Sequence, residues 1–388
     1  MSASGAYDVI VIGVGGMGSA TVYELASRGL RVLGLERFDV PHDMGSSHGV
    51  NRIIRLAYFE HPSYVPLLRR AYERWLELEL ASGEQLLHIT GSLDVGPEDG
   101  MVFPGSLQSC EEHALPHEVL TSAELSGHFP GVRPPEGWMG VYQPDGGFVL
   151  SERAIVSHVS AALGRGGEMR AREAVLEWSS TSDRVRVETS RGSYEAGALV
   201  ITSGAWAGPQ APSLDGLLTP ERQVMGWFQP LRPELFAPAA CPVVIGEFDE
   251  GLYYSFPVFG VPGFKIGKFH HLGEATTAED LDREIRDEDE AALRQAVARY
   301  FPDANGPTLS LRACMFTNTP DEHFIIDALP GAPNVFVAAG FSGHGYKFCS
   351  VVGEIMADLA TLGETDHDIS LFSLDRFGLG GGEGSDPA

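Results

Sequence analysis

Lysine is nearly absent from this sequence. Of its 27 lysine and arginine residues, only Lys265, Lys268 and Lys347 are lysine. Cations as a class are outnumbered too, 27 against 53 carboxylates, for a net charge of −26. A face that binds nucleic acid must be basic, and no run of arginines forms one, so that class of partner is excluded. Long apolar runs are missing as well. Nothing approaches the ~20 residues of a membrane span, and the first residues lack the basic start of a signal peptide. Cysteine is sparse, four in 388 residues. That is too few for a disulfide framework, so a reducing cytoplasm is the expected compartment. The histidines show no metal-ligand spacing, and no metal is expected.

What is present is a globular composition, 43% apolar and 21% charged, in a length that suggests two or three domains. Val9 to Ile12 is a continuous apolar run, as a parallel strand buried on both faces requires. A glycine-rich turn and a helix-period stretch through Ala20, Tyr23, Leu25 and Ala26 follow, and Val32 to Leu35 reads as a second strand. A helix begins near Ser63, with Tyr64, Leu67, Leu68, Ala71 and Trp75 on its core face. From Gly83 to Gly147 the chain reads as loop-rich. A helix is expected from Ser151 to Gly164, then a hairpin turning at Ser190 to Gly192 into a buried strand, Ala198 to Ile201. Residues 211 to 325 hold aromatic-rich strands and an acidic helix from about Glu288 to Tyr300. The strand Asn334 to Ala339, the glycine-rich Gly340 to Gly345 and a closing helix complete the pattern, with a disordered tail expected from Gly378. Nucleotide-type strands thus recur at the start, near 200 and near 335. One α/β domain in three segments, interrupted by insertions that build a second domain, is the expectation.

Gly13-Val14-Gly15-Gly16-Met17-Gly18 fits G-x-G-x-x-G between that first strand and helix. The first glycine allows a tight turn, the second lets a pyrophosphate approach the backbone, and the third lets helix and strand pack. The helix N-terminus then offers N–H groups and a positive dipole to the phosphates. Glu36, at the end of the second strand, is placed to accept ribose hydroxyls. The plain alternative is a glycine-rich turn with no ligand. NAD and FAD share this fingerprint. FAD is favoured by Gly340 to Gly345 ahead of a helix, because a second helix N-terminus could receive the flavin edge that gains negative charge on reduction.

Six further stretches, in order, resemble the monomeric sarcosine oxidase and N-methyl-tryptophan oxidase family of amine-oxidising flavoenzymes. They are Pro41-His42 with Gly45 to Gly49, Arg52 to Arg55, Tyr253 to Pro257, Gly263 to Lys268, Cys314 ahead of Thr319 to Asp327, and Gly340 to Lys347. The resemblance implies a fold of α/β plus α+β class. A Rossmann-like FAD domain would span 1–85, 150–210 and 326–388, and an inserted antiparallel-sheet substrate domain 86–149 and 211–325. It implies covalent FAD attachment at Cys314, where the bland reading is a small buried hydrophobe. Arg52 is implied to lie at the flavin, and Arg55 with Lys347 to clamp a substrate carboxylate. Lys265 is implied to activate oxygen by stabilising developing superoxide, and Tyr254 to bond the substrate. Phe269 falls where sarcosine-type members place a pocket histidine, and His270 or His271 is implied to stand for it, His270 being the one assigned to the substrate. The flavin-binding set implied is Gly13 to Gly18, Glu36, Arg37, His42, Gly45, Ser46, Ser47, Arg52, Ile53, Val175, Ser203, Gly204, Trp206, Cys314, Met315, Gly343, His344, Gly345 and Lys347. Asn51, Phe316 and Ile245 depart from the sarcosine-oxidase pattern, which implies an altered pocket. The activity implied is oxidation of a secondary amino acid to an imine, with O2 reduced to H2O2, by a monomer. A flavin dehydrogenase, a pipecolate- or proline-type oxidase, and a non-catalytic FAD-binding subunit are the alternatives.

Overall fold

The computed structural model describes residues 7–379; most of the tail expected to be disordered lies outside them. Val9, Ile10, Val11 and Ile12 are all at most 3% exposed, and the strand they belong to, Tyr7–Ile12, runs parallel to a neighbour on either side. Val32–Leu35 flanks it on one edge and Ser193–Ile201 on the other. Glu168–Arg170 and Ala332–Ala339 extend the parallel series outward. Such strands are apolar on both faces because both are covered. The helices Gly16–Ser27 and Cys349–Leu362 pack so closely that a Cβ on Gly353 would lie 2.7 Å from Ala20. Antiparallel pairs add Val185–Thr189 and Val175–Ser180 beside Ser193–Ile201, and Ile325–Leu329 beside Ala332–Ala339.

A second sheet has the order Thr308–Asn318, Thr219–Phe228, Phe264–Lys268, Gly251–Phe256, Val243–Phe248, Ser92–Gly96, Met139–Gln143 and Glu118–Thr121. Its Val243–Phe248 and Ser92–Gly96 strands pair in parallel. The helix Asp287–Tyr300 turns Leu293, Ala296, Val297 and Tyr300 onto Phe264 and Ile266. Full burial of a side chain such as Leu293 or Val297 contributes roughly 1.5–3 kcal/mol. A small antiparallel sheet joins Asn51–Ile54, Gly147–Leu150 and Leu87–Ile89.

The chain divides into two compact units. One holds residues to Ser47, Arg153–Pro220 and Phe316 onward; the other holds His48–Glu152 and Glu221–Met315. This differs from the expected segments. Residues 48–85, with 150–152, join the second unit because Asn51–Ile54 pairs with Gly147–Leu150, and residues 211–220 and 316–325 join the first. The stretch from Gly83 to Gly147 is also better ordered than its composition implied. It holds four strands and the helices Val102–Glu112 and Ser122–His128. Pro104 and Gly105 sit in the first turn of the former, where proline is tolerated, and they mask its helical period. Among the described residues no helix is long and apolar enough to cross a membrane. The four cysteines are all buried, and none forms a disulfide.

Candidate functional site

In the first unit, three glycines of the fingerprint have distinct geometric reasons. Gly13 has φ +84°, and a Cβ there would lie 2.5 Å from the Ser203 Cα. A Cβ on Gly18 would lie 1.8 Å from the Gly13 carbonyl oxygen, so helix and strand could not meet. A Cβ on Gly15 would meet only Ser47 Oγ, at 3.7 Å. That position is open, as approach of a phosphate to the backbone requires. Gly16 faces Cys349 Sγ, 2.6 Å from its would-be Cβ, and its N–H donates to Ser47 Oγ at 3.3 Å. Met17 lies in the first helical turn, where its carbonyl accepts from Thr21 at 2.9 Å.

Glu36 is 5% exposed. Its carboxylate accepts from the N–H groups of Val14 at 2.8 Å and Phe38 at 2.9 Å, with His42 Nε2 3.5 Å away. Burial alone would raise its pKa; the His42, Phe38 and Val14 bonds overcome that and hold the carboxyl below its usual value. An ionised acceptor at a strand end suits ribose hydroxyls. Gly45 and Ser46 lie in the loop between His42 and Ser47, the would-be Gly45 Cβ 3.3 Å from the His42 ring. Arg37 stands 5.3 Å from the Phe38 ring and 5.9 Å from Trp206. Ser203 Oγ is buried without a partner among the described residues, and Gly204 follows at φ +57°. Val175 opens its strand opposite Thr189. These features fit a bound dinucleotide.

After the strand Ala332–Ala339, Gly343 has φ +80° and a would-be Cβ 2.4 Å from the Phe316 ring; Gly345 is as close to Phe341. His344 Nε2 lies 3.0 Å from the Glu322 carbonyl. Lys347, 5% exposed, donates to the His344 carbonyl at 2.6 Å. The closing helix does not follow Gly345 directly. A tight turn over Tyr346–Phe348 intervenes, and the helix starts at Cys349.

In the second unit the residues implied for catalysis come together around one strained turn. Gly49 has φ +98° and Val50 has φ +78°, and a β-branched residue held there stores roughly 1–3 kcal/mol. Glu152 clamps the turn, accepting from Gly49 N–H at 2.6 Å and Val50 N–H at 3.0 Å. From Lys265, Nζ donates to the carbonyls of Gly49 and Asn51, both at 2.8 Å, and to Asn51 Oδ1 at 2.9 Å. Lys265 is set in register between Trp227 and Phe256, with Nζ 4.2 Å from the Phe256 ring. Burial, then the like charge of Arg52, push its pKa well down, while Glu152 and Cys314 pull it up.

Arg52 donates to the Asn51 carbonyl at 2.9 Å. Cys314, 3% exposed, packs with Met225 and Trp227, and Val50 lies against them. Burial raises its thiol pKa despite Arg52, so the resting group is a thiol. Tyr254 is pushed up to about 12 by burial, with Arg52 opposing. Its ring stands over Gly267, where a Cβ would come within 2.3 Å of Oη. Ile53 lies on the neighbouring strand, and Met315 is buried beside Cys314.

Two implied roles meet difficulty. Arg55 is not an open clamp. Only 1% of its side chain is exposed, and it pairs with Glu60 at 2.7 Å and Asp94 at 3.5 Å. A substrate carboxylate would have to compete with both. His270 is not a pocket residue either. Beyond the strand end its backbone turns at φ +55°, and its half-exposed ring contacts Glu221 at 2.8 Å. Phe269 instead packs on Tyr254, ring centroids 5.4 Å apart. Sequence reasoning missed Glu152, Glu60 and Asp94 altogether. Only the position of Glu152 in the first turn of a helix distinguishes it in sequence, and that is an ordinary place for an acid.

Three comparisons bear on this geometry. The family model described as FAD dependent oxidoreductase matches residues 8–359. A monomeric sarcosine oxidase of Streptomyces avermitilis is 44% identical over 95% of this chain and 97% of that protein. An N-methyl-L-tryptophan oxidase of Salmonella enteritidis is 35% identical over 96% and 99%. Among solved structures, an L-proline dehydrogenase from P. horikoshii superposes with a TM-score of 0.83 at 23% identity, covering 96% of this chain and 98% of that one; at that identity the likeness concerns the fold.

Proposed function

Because the chain belongs to the FAD dependent oxidoreductase family, we propose that it is an oxidase of secondary amino acids, N-methyl amino acids such as sarcosine or N-methyl-tryptophan among them. The observation that carries this reading is the gathering of Arg52, Tyr254, Lys265 and Cys314 around one strained turn. FAD, when bound, supplies a two-electron acceptor that oxygen can reoxidise. Overall, the amine loses two electrons and two protons to become an imine. Water hydrolyses the imine to formaldehyde and the demethylated amino acid, and O2 takes up the electrons and protons as H2O2.

Gly13 to Gly18, Glu36, Arg37, His42, Ser47, Ser203 and Trp206 would hold the nucleotide part of FAD. Gly343 to Lys347 would meet the flavin ring, and Cys314 would attach it through a thioether at the 8-methyl carbon. Arg52 and Lys265 supply positive charge where the electron-rich flavin and oxygen anions develop. Tyr254 stays a neutral phenol throughout the physiological range and offers its O–H to the substrate. Lys347 contributes a point charge to carboxylate recognition. Arg55 joins it only if a substrate displaces Glu60. The enzyme would act as a cytoplasmic monomer.

The deciding experiment is anaerobic mixing of the purified yellow protein with sarcosine, N-methyl-tryptophan, pipecolate and proline, read as loss of flavin absorbance, followed by peroxide assay in air. Bleaching by an N-methyl amino acid with peroxide on aeration supports the reading. Bleaching without peroxide would make it a dehydrogenase, and no bleaching by any of them would leave a flavin carrier without this activity.

A further inference from the structure

The surroundings of Lys265 define its charge state by donor arithmetic. Three oxygens face Nζ at hydrogen-bond distance, the Gly49 and Asn51 carbonyls at 2.8 Å and Asn51 Oδ1 at 2.9 Å. All three only accept. A neutral amine brings two hydrogens and a lone pair, which would leave one acceptor facing that lone pair. An ammonium brings three hydrogens and satisfies all of them. Two of the acceptors are main-chain and fixed by the strained Gly49–Val50 turn. The third belongs to a side chain, so its presence depends on the identity of residue 51.

We propose that Asn51 is a positioning residue: its amide oxygen closes a three-acceptor cage that keeps Lys265 an ammonium and leaves it no spare N–H. Lys265 then acts on oxygen-derived anions by its charge across space, not by donating a hydrogen bond. This last consequence rests on the oxidase reading above; the charge state does not.

The groups facing the ammonium compete. Burial and Arg52 favour the amine, while the Glu152 carboxylate favours the cation. The Phe256 ring face at 4.2 Å adds a cation–π contact. Asn51 strengthens the cationic side without adding a net charge, which would otherwise bind Arg52 in competition.

The scarcity of lysine makes the test direct. The flavin-loaded protein, labelled with 15Nζ-lysine, carries three lysine signals, and the one missing from Lys265→Met is that of Lys265. Its titration midpoint should fall by about one pH unit in Asn51→Ala, a tenfold change in the ammonium-to-amine ratio. It should rise in Asn51→Asp, where an anion takes the place of the amide, and be partly restored in Asn51→Ser. The rate at which air reoxidises the reduced flavin should lose its high-pH limb at the shifted midpoints. Opposite shifts in the Ala and Asp variants support the proposal, since a merely structural role would move both the same way. Unshifted midpoints, shifts of one sign, or a wild-type Lys265 neutral at pH 7 would overturn it. The titration needs no substrate, so its failure is distinct from failure of the amine-oxidation reading.

Discussion

Replacing Gly15 and Gly18 by alanine, one at a time, separates ligand approach from internal packing in the same six-residue loop. In Gly18→Ala the new methyl would lie 1.8 Å from the Gly13 carbonyl oxygen and 2.6 Å from Thr202 Oγ1. Both are well inside the 3.0 Å that real Cβ atoms respect, and the nearer atom is backbone, which cannot swing aside. The strand end and the helix must therefore part. Overpacking of this kind costs about 1–3 kcal/mol, or roughly 4 °C in Tm at the upper end for a chain of 388 residues. In Gly15→Ala the methyl meets only Ser47 Oγ at 3.7 Å, and φ at Gly15 is −79°, outside the left-handed region that favours glycine. The cost is that of an alanine at a helix N-cap, about 1 kcal/mol or less. The two apoproteins, unfolded thermally, should differ accordingly. Flavin content per chain, from the ratio of visible to protein absorbance, should fall severely in both. Gly15→Ala that folds like wild type and also retains full flavin would refute the assignment of that open position to the pyrophosphate.

Other substitutions test the second unit. Lys265→Met should slow reoxidation of the reduced flavin by oxygen at least a hundredfold while leaving reduction by substrate within a few-fold, an expectation in line with the loss of a single preorganised charge; equal effects on both half-reactions would remove the oxygen role. Acid precipitation of wild type should leave the yellow colour in the pellet and that of Cys314→Ser should not, and the reverse would dismiss the attachment. Asp94→Asn should lower KM for a carboxylate substrate several-fold with kcat little changed, because it takes one of two competing anions from Arg55; if Arg55→Met raises KM but Asp94→Asn does nothing, the competition is wrong. Asp289 is fully buried and accepts from Arg222 at 2.7 and 2.8 Å and from the Arg286 N–H at 2.8 Å, with His271 Nε2 2.9 Å away. Burial would raise its pKa, but these partners hold it far below the ordinary carboxylate value. Its contribution to stability is therefore complete above about pH 4, the unfolded pKa, and disappears as pH falls toward the folded value. Asp289→Asn should lower Tm at pH 7, since breaking a buried pair costs about 3–5 kcal/mol, and should flatten the fall of Tm between pH 5 and 2; an unchanged acid slope would contradict it.

What could be read from the linear order of residues is what depends on near neighbours. The fingerprint glycines act within six residues of one another, Glu36 follows its strand directly, and Val9 to Ile12 declare their burial by composition alone. The helix Ser151–Gly164 and the hairpin at Ser190 to Gly192 are likewise local, and both stand where expected. Where glycine and proline interrupt short elements, as between Gly83 and Gly147, periodicity fails and only packing supplies the order.

The charge state and freedom of the functional side chains were decided by the tertiary structure. Lys265 finds its acceptors 214 and 216 residues away, in a turn whose strained φ no propensity foretells. Arg55 looked available because its own segment is apolar, yet folding brings Asp94 to 3.5 Å. His270 looked like a ligand for substrate, but its strand ends two residues earlier, at Lys268, and the turn that follows sets its ring against Glu221. The scarcity of lysine pointed to where three cations stand. Whether each is free, caged or already paired depends on which distant oxygens the fold delivers, because a buried charge takes its properties from whatever replaces its water.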